Sequence, residues 1–413
     1  MKNYELVIIG GGAAGMGAAI EARKNGINDI LIIEKTDALG GILNQCIHTG
    51  FGLTEFKEEM AGPEYAAKFI KQIEDLKIDY LCNTYVTKIT EQKEIYFSNQ
   101  DGYQRIKAKA IILSTGCYER SRGKANLDGT RPSGVMTAGL AQKYINIDGY
   151  MVGKKVFILG SGDIGLIMAR RLTLEGAKVL GVAELMPYTN GLSRNVVQCL
   201  NDFNIPLYLS HTVKEIVGTK RLEKVIIAKV DENKNFIPNT EIEFECDTLL
   251  LSVGLIPSNE LLEPLNVKMN SRTKGPIVNE KLETSMEGIF VCGNNLHVHD
   301  LVDYVTKEAR IAGQSAANYI HGMSQEQMDL EIKNGPLVNY VVPSFASTKT
   351  KMITIKFRVA KPLKQCTIKI KNNGHLLREI KKDYMLPAEM ENINVSLLQA
   401  EKGEIEIEVT END

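Results

Sequence analysis

Leu6-Val7-Ile8-Ile9-Gly10-Gly11-Gly12-Ala13-Ala14-Gly15 is the stretch on which the reading of this 413-residue chain turns. An apolar run of strand length leads straight into three glycines spaced G-x-G-x-x-G. Gly10 permits a tight turn out of the strand, Gly12 lets the backbone approach a pyrophosphate, and Gly15 lets the next helix lie close on the sheet. The first amides of that helix, at the positive end of its dipole, then face the phosphates. Glu34 follows Gly10 by 24 positions and closes a second apolar run, Ile30–Ile33, where a carboxylate takes the ribose hydroxyls. One such stretch is weak evidence. The chain repeats it 150 positions later as Val156-Phe157-Ile158-Leu159-Gly160-Ser161-Gly162-Asp163-Ile164-Gly165. Glu184 again stands 24 positions after the first glycine, at the end of the run 179–183. Matched glycines, strands and acids predict two dinucleotide sites.

The bulk properties leave room for that architecture. The length suits two to three domains, and 44 % apolar with 24 % charged residues is ordinary for a globular protein. A formal net charge of −2 provides no field that favours nucleic acid or an acidic membrane. Apolar runs stop at strand length, well short of the ~20 residues of a membrane-spanning helix. No leader is expected, since a strand-like run opens the sequence, and its seven cysteines are scattered without a CxxC pair or ligand-like spacing. That usage predicts a reducing, cytoplasmic setting and no zinc or iron–sulfur site.

Periodicity then divides the chain. Helical patterns are predicted at 12–25, 63–76, 137–146 and 302–319. Strand-like runs fall at 5–9, 30–34, 81–89, 94–98, 105–108 and 110–114, the last ending in Ser114-Thr115-Gly116. Further runs lie near Leu207, at 225–230, 241–244 and 248–253. The expected fold class is α/β, with two Rossmann-like domains, one inserted in the other. The first would span 1–120 and 255–335, and the second 121–254. After Gly335-Pro336 the texture alternates with period two, as in 352–359, 367–370 and 404–409, and Asn373-Gly374 is a hairpin signal. Residues 336–413 are therefore expected to form a small antiparallel β domain that packs on the body, on a second copy or on a partner.

With these residues in view, 1–330 resembles the two-dinucleotide flavoproteins of the pyridine nucleotide–disulfide oxidoreductase superfamily. The order of features carries the likeness: the first motif with Glu34, Ser114-Thr115-Gly116, the second motif with Glu184, Val253-Gly254-Leu255-Ile256-Pro257, and the segment running from Thr284 to Asn294. The resemblance implies FAD at the first motif, held by Gly10, Gly12, Gly15, Glu34, Gly41, Thr115, Gly293 and Asn294. It implies NAD(H) at the second, held by Gly160, Gly162, Gly165 and Glu184. Asn294 stands where the family usually has aspartate. A narrower likeness rests on the loop GGILNQCIHTGFG, on Cys117-Tyr118-Glu119-Arg120 with 129–139, and on Asn295-Leu296-His297-Val298-His299-Asp300. These stretches resemble bacterial flavoproteins encoded beside anaerobic glycerol-3-phosphate dehydrogenase-like enzymes, and flavin subunits of proline dehydrogenase and hydrogen cyanide synthase. They imply an electron-transfer subunit that works with a separate dehydrogenase, of glycerol-3-phosphate or hydroxy-acid type, and a small redox protein, in a homo- or hetero-oligomer.

The family's dithiols are missing. Only Cys46 lies in the loop after the first acid, where glutathione-reductase types carry two cysteines, and no CxxC marks the second domain. Cys46 is read either as a redox thiol, serving a stand-alone NADH oxidase or peroxidase, or as a packing group under the flavin. His48, His297 and His299 either tune the flavin or hold structure, and the HxH pair lacks an evident third metal ligand. A binding scaffold or redox sensor with little turnover is a third functional reading. Arg120, Arg122 and Arg131 either bind an anionic substrate or pin the crossover loop. Glu184 would repel a 2′-phosphate, and Leu185-Met186-Pro187-Tyr188 contains no arginine to receive one, which predicts NAD over NADP.

Overall fold

The computed structural model describes residues 1–323 and 326–411. The chain falls into two compact units, Met1–Cys117 with Pro257–Asp413, and Tyr118–Ile256. The end of the expected third domain, Asn412 and Asp413, lies outside the described residues.

In the first unit, strand Lys2–Ile9 sits between Ile30–Ile33 and Gly102–Leu113, paired in parallel with both. All four residues of Ile30–Ile33 are buried. Successive side chains on a strand point to opposite faces, so both faces of this sheet are covered. Fully burying each such isoleucine or leucine stabilises by about 1.5–3 kcal/mol. Asp79–Leu81 extends the sheet beyond Ile30–Ile33, and Glu94–Asn99 with Tyr85–Ile89 extends it from Gly102–Leu113. Gly102–Leu113 is one strand where the sequence suggested two. Its first half pairs antiparallel with Glu94–Asn99 and its second half parallel with Lys2–Ile9 and Ile289–Val291, with no break between.

Helix Ala13–Lys24 leaves the first glycine turn, and its small side chains let helix Val302–Ile320 approach closely. A Cβ on Gly313 would stand 2.3 Å from the Ala18 carbonyl oxygen, so glycine is required at that crossing. The glycine-rich stretch 39–53 is more ordered than a loop: it contains the 3-10 turn Gly41–Gln45 and the strand Thr49–Phe51.

The second unit repeats the plan. Five parallel strands run in the order Val135–Thr137, Thr248–Leu251, Lys155–Leu159, Lys178–Glu184, Leu207–Leu209. Helix Asp163–Leu174 leaves the second glycine turn. A separate antiparallel sheet holds His211–Gly218, Leu222–Lys229 and Ile242–Glu245. Its first strand and the short helix Ser193–Cys199 had no clear sequence signal, the strand because Lys214 and Glu215 interrupt its apolar alternation.

The C-terminal strands begin at Leu330, ahead of the Gly335-Pro336 break, since Leu330–Asn334 pairs in parallel with Gly403–Glu411. Two sheets enclose a core that includes Ile355, Phe357, Ile368, Ile370, Ile405 and Ile407. Asn373 and Gly374 both take positive φ, 48° and 85°, and turn Leu363–Asn372 back into His375–Met385. Tyr340 and Val342 belong instead to the first unit's core, which seats the β region on the Rossmann-like body. None of the described helices is long and apolar enough to cross a membrane.

Candidate nucleotide-binding sites

The two glycine turns are built alike in atomic detail. The Gly10 amide donates to Ile33 O at 2.8 Å, and the Gly160 amide to Ala183 O at 2.7 Å. The next amide along reaches the acid: Gly11 N donates to Glu34 Oε2 at 2.7 Å, and Ser161 N to Glu184 Oε2 at 2.9 Å. Each second carboxylate oxygen accepts the amide two positions beyond the acid, Thr36 N at 2.8 Å and Met186 N at 2.9 Å. Each acid thus ties the glycine turn to the end of the neighbouring strand. Hydrogen bonds to charged groups contribute about 1.5–3 kcal/mol each.

Gly10 and Gly160 take positive φ, 106° and 95°, which a side chain would strain. Gly15 stands where a Cβ would be 1.8 Å from Gly10 O, and Gly165 where it would be 2.6 Å from Ser252 Cβ. Around Gly12 a Cβ would meet nothing within 4 Å, so that turn opens onto free space. Both helices start from a glycine that offers no side-chain cap, although in the second the Gly165 amide is taken by Ser252 Oγ. Uncapped amides beside an open glycine turn suit a pyrophosphate, and the residues present fit dinucleotides at both places. Asp163, in the first turn of the second helix, is turned aside, accepting from Leu192 N at 2.8 Å and Asn195 Nδ2 at 2.6 Å.

Each turn also rests on a serine that ends the strand beside it. Ser114 Oγ donates to Gly10 O at 3.0 Å, and Ser252 Oγ accepts from Gly165 N at 3.1 Å. The role of Ser252 was missed in the sequence, although both strands, Gly102–Leu113 and Thr248–Leu251, run directly into a serine.

Other expected flavin-site residues gather at the first turn. A Cβ on Gly41 would lie 3.2 Å from the Gly12 Cα, and one on Gly293 2.9 Å from the Ala14 Cβ. Thr115 Oγ1 donates to Ser258 O at 2.7 Å and so steadies the start of the segment after the second unit. Asn294 Oδ1 accepts the His299 amide at 3.0 Å, which fixes the amide orientation and points Nδ2 towards Cys117 Sγ at 3.7 Å.

The histidines separate. His48 keeps its Nδ1 3.1 Å from Thr49 O and tilts against Phe51, with ring centroids 4.9 Å apart. His297 and His299 instead join Glu308, the third donor that the spacing of the sequence concealed, with their ligand atoms within 4.8 Å of one another. A cation already sits there, because the Lys356 ammonium contacts Glu308 Oε2 directly. Burial alone would raise the Glu308 carboxyl, but Lys356, with His299 and His297, holds it well below the usual carboxylate range. His297 Nε2 therefore donates to Glu308 Oε2 at 2.8 Å, leaving its buried Nδ1 without a protein partner. Burial pushes the His297 imidazole down to about 3, so the ring is neutral. His299 Nε2 lies 3.3 Å from the same oxygen without hydrogen-bond geometry, and its Nδ1 lies 3.3 Å from Asn294 Oδ1.

Burial raises the Cys46 thiol to about 12 from the 9.0 of a free cysteine. The thiolate is the reactive form, so this shift favours the packing reading of the half-buried Cys46 over the redox one. Native protein at pH 8 is expected to be alkylated at Cys46 about a thousandfold more slowly than the unfolded chain. Peptide mass spectrometry after timed iodoacetamide exposure measures this, and equal rates in the two states would contradict it.

Arg122 spends its guanidinium on the Leu127, Asp128, Gly129 and Thr130 carbonyls, which makes it the pin of the crossover loop. None of the seven cysteines forms a disulfide in the described residues.

Comparison with known proteins agrees with this geometry. The family model described as pyridine nucleotide-disulphide oxidoreductase matches residues 4–316. Thioredoxin reductase of Listeria innocua is 25 % identical over 335 residues, covering 78 % of this chain and 96 % of that protein. The hydrogen cyanide synthase subunit HcnB of Pseudomonas aeruginosa is 26 % identical, covering 64 % of this chain and 60 % of its own length. The crystal structure of T. acidophilum thioredoxin reductase superposes with a TM-score of 0.63 at 24 % identity, over 78 % of this chain and all of that one, a likeness of fold. With its two matched glycine turns and a family model spanning both, the chain belongs to the pyridine nucleotide–disulphide oxidoreductase family.

Proposed function

We propose that this FAD-dependent oxidoreductase is an electron-transfer subunit, exchanging electrons between NADH and a separate dehydrogenase of the glycerol-3-phosphate or hydroxy-acid type. The family's members use FAD and a pyridine nucleotide. When bound, these supply the hydride chemistry between nicotinamide and flavin N5, while the protein orients and insulates them. In this reading Gly10, Gly12, Gly15, Glu34, Gly41, Thr115, Gly293 and Asn294 hold FAD. Gly160, Gly162, Gly165 and Glu184 hold NADH. The preference over NADPH rests on Glu184, a buried carboxylate at the strand end that would repel a 2′-phosphate, with no arginine in 185–188.

One observation carries the choice of acceptor. Both nucleotide turns are intact, yet the chain has no CxxC, and the single cysteine of the flavin-side loop is held as a thiol. Electrons that cannot pass through an internal dithiol must leave to another molecule. The likeness to a protein named as a hydrogen cyanide synthase subunit supports a role within an assembly.

A native pull-down from the source cell, followed by mass measurement and NADH assays on the co-purifying proteins, tests this reading. Recovery of a dehydrogenase subunit, with NAD reduction dependent on that partner's substrate, is expected. A lone protein that consumes oxygen rapidly with NADH would overturn the proposal in favour of an oxidase.

A further inference from the structure

Strand Met352–Val359 sends its two alternating faces to different places. Ile353, Ile355, Phe357 and Val359 enter the core of the β region, as an amphipathic strand should. The opposite face would ordinarily be wet. Here it carries Lys356, only 7 % exposed, and Arg358, both directed into the Rossmann-like body of the first unit. Lys356 meets Glu308, a carboxylate with no solvent exposure on the helix Val302–Ile320. Glu308 Oε1 accepts the Gly293 amide at 2.8 Å, and Oε2 accepts His297 Nε2 at 2.8 Å. Two positions along, Arg358 pairs with Asp300 and donates to Val298 O at 3.1 Å, while Asp300 Oδ2 accepts the Met390 amide at 2.7 Å. One strand of the C-terminal β region thus holds the segment from Gly293 to Asp300 directly at Val298 and Asp300, and at Gly293 only through Glu308.

We propose that Lys356 is a positioning residue of the flavin site, its ammonium anchoring Glu308 so that Glu308 in turn fixes the Gly293 amide and the His297–His299 wall. The β region is then part of the site, more than a docking module. Burying a carboxylate without its cation is strongly unfavourable, so the pair acts as a unit. Removing Lys356 alone leaves Glu308 a buried charge without its cation, and neutralising it, by a proton or by charging His297, is a cost borne by the folded site that holds the Gly293 amide. Removing both charges together avoids that cost, because a glutamine at position 308 keeps an oxygen that can accept the Gly293 amide. The inference rests on the reading that Gly293 and Asn294 face FAD.

The test is a double-variant cycle on the full chain, comparing wild type, Lys356→Met, and Lys356→Met combined with Glu308→Gln. FAD dissociation constants and hydrogen–deuterium exchange of the peptide spanning 293–300, in FAD-free protein, are the two readouts. Lys356→Met is expected to weaken FAD binding at least about tenfold and to speed exchange in that peptide. The double variant is expected to return to within about threefold of wild type in both. Lysine acting only as packing would make the double variant no better than the single one, in folding yield, exchange or affinity, and that result overturns the proposal. So does a single variant that binds FAD and exchanges like wild type. If wild type takes up no FAD, the flavin reading fails, while the exchange data still decide the role of Lys356.

Discussion

Gly15→Ala is expected to weaken FAD binding by roughly one to two orders of magnitude. The added methyl would stand 1.8 Å from the Gly10 carbonyl oxygen and 2.9 Å from Ser114 Oγ, and the first of these neighbours is backbone. Relief requires lifting the helix Ala13–Lys24 away from the strand Lys2–Ile9, which moves the very amides that face the phosphates. Overpacking a tight site costs about 1–3 kcal/mol or more, and at ~1.4 kcal/mol per tenfold this corresponds to a loss of affinity of roughly five- to a hundredfold or more. The ratio of flavin to protein absorbance after reconstitution with excess FAD measures it, with circular dichroism confirming that the chain still folds. A variant that stays as yellow as wild type would remove FAD from the first turn.

Gly165→Ala should separate the two sites. Its methyl would meet Ser252 Cβ at 2.6 Å, Ser252 Oγ at 2.9 Å and Gly160 O at 3.0 Å, all within the second unit. FAD content should therefore match wild type, while the rate of flavin reduction at limiting NADH falls at least about tenfold. Because the tightest neighbour is a side-chain carbon, Ser252→Gly in the same chain should recover part of the loss. Stopped-flow reduction of the three proteins checks both statements. Loss of flavin from Gly165→Ala, or no recovery in the double variant, would show that the steric account is wrong.

These two turns were legible in the sequence because everything that builds them is local. Glycine spacing, the preceding strand, the following helix and the acid that closes the next strand all fall within 29 consecutive positions, 6–34 and 156–184. Their near-identical hydrogen bonding, Gly11 to Glu34 and Ser161 to Glu184, follows from that shared spacing. The cluster beside Gly293 was not legible. Glu308 and Lys356 lie 48 positions apart, on a helix and a strand of different layers. Lys356 occupies a polar position of an alternating strand, which ordinarily signals a solvent face. Glu308 likewise gave no sign that its helix would bury it completely. A metal reading of His297 and His299 was set aside for want of a third donor; the fold provides the donor and, in Lys356, a cation to match it. For Arg122 the residue was visible, but the four carbonyls it pins are set by the path of the loop, which composition does not encode.

In the proposed function one chain binds FAD at the turn after Ile9 and accepts hydride from NADH bound at the turn after Leu159. An anaerobic titration of the purified, FAD-reconstituted protein with NADH, followed by absorbance, tests it most directly. Bleaching of the oxidised flavin band at about one NADH per flavin, with NADPH needing far higher concentrations, is the predicted result. A protein that retains no FAD, or a bound flavin that stays oxidised under excess NADH, would overturn that function.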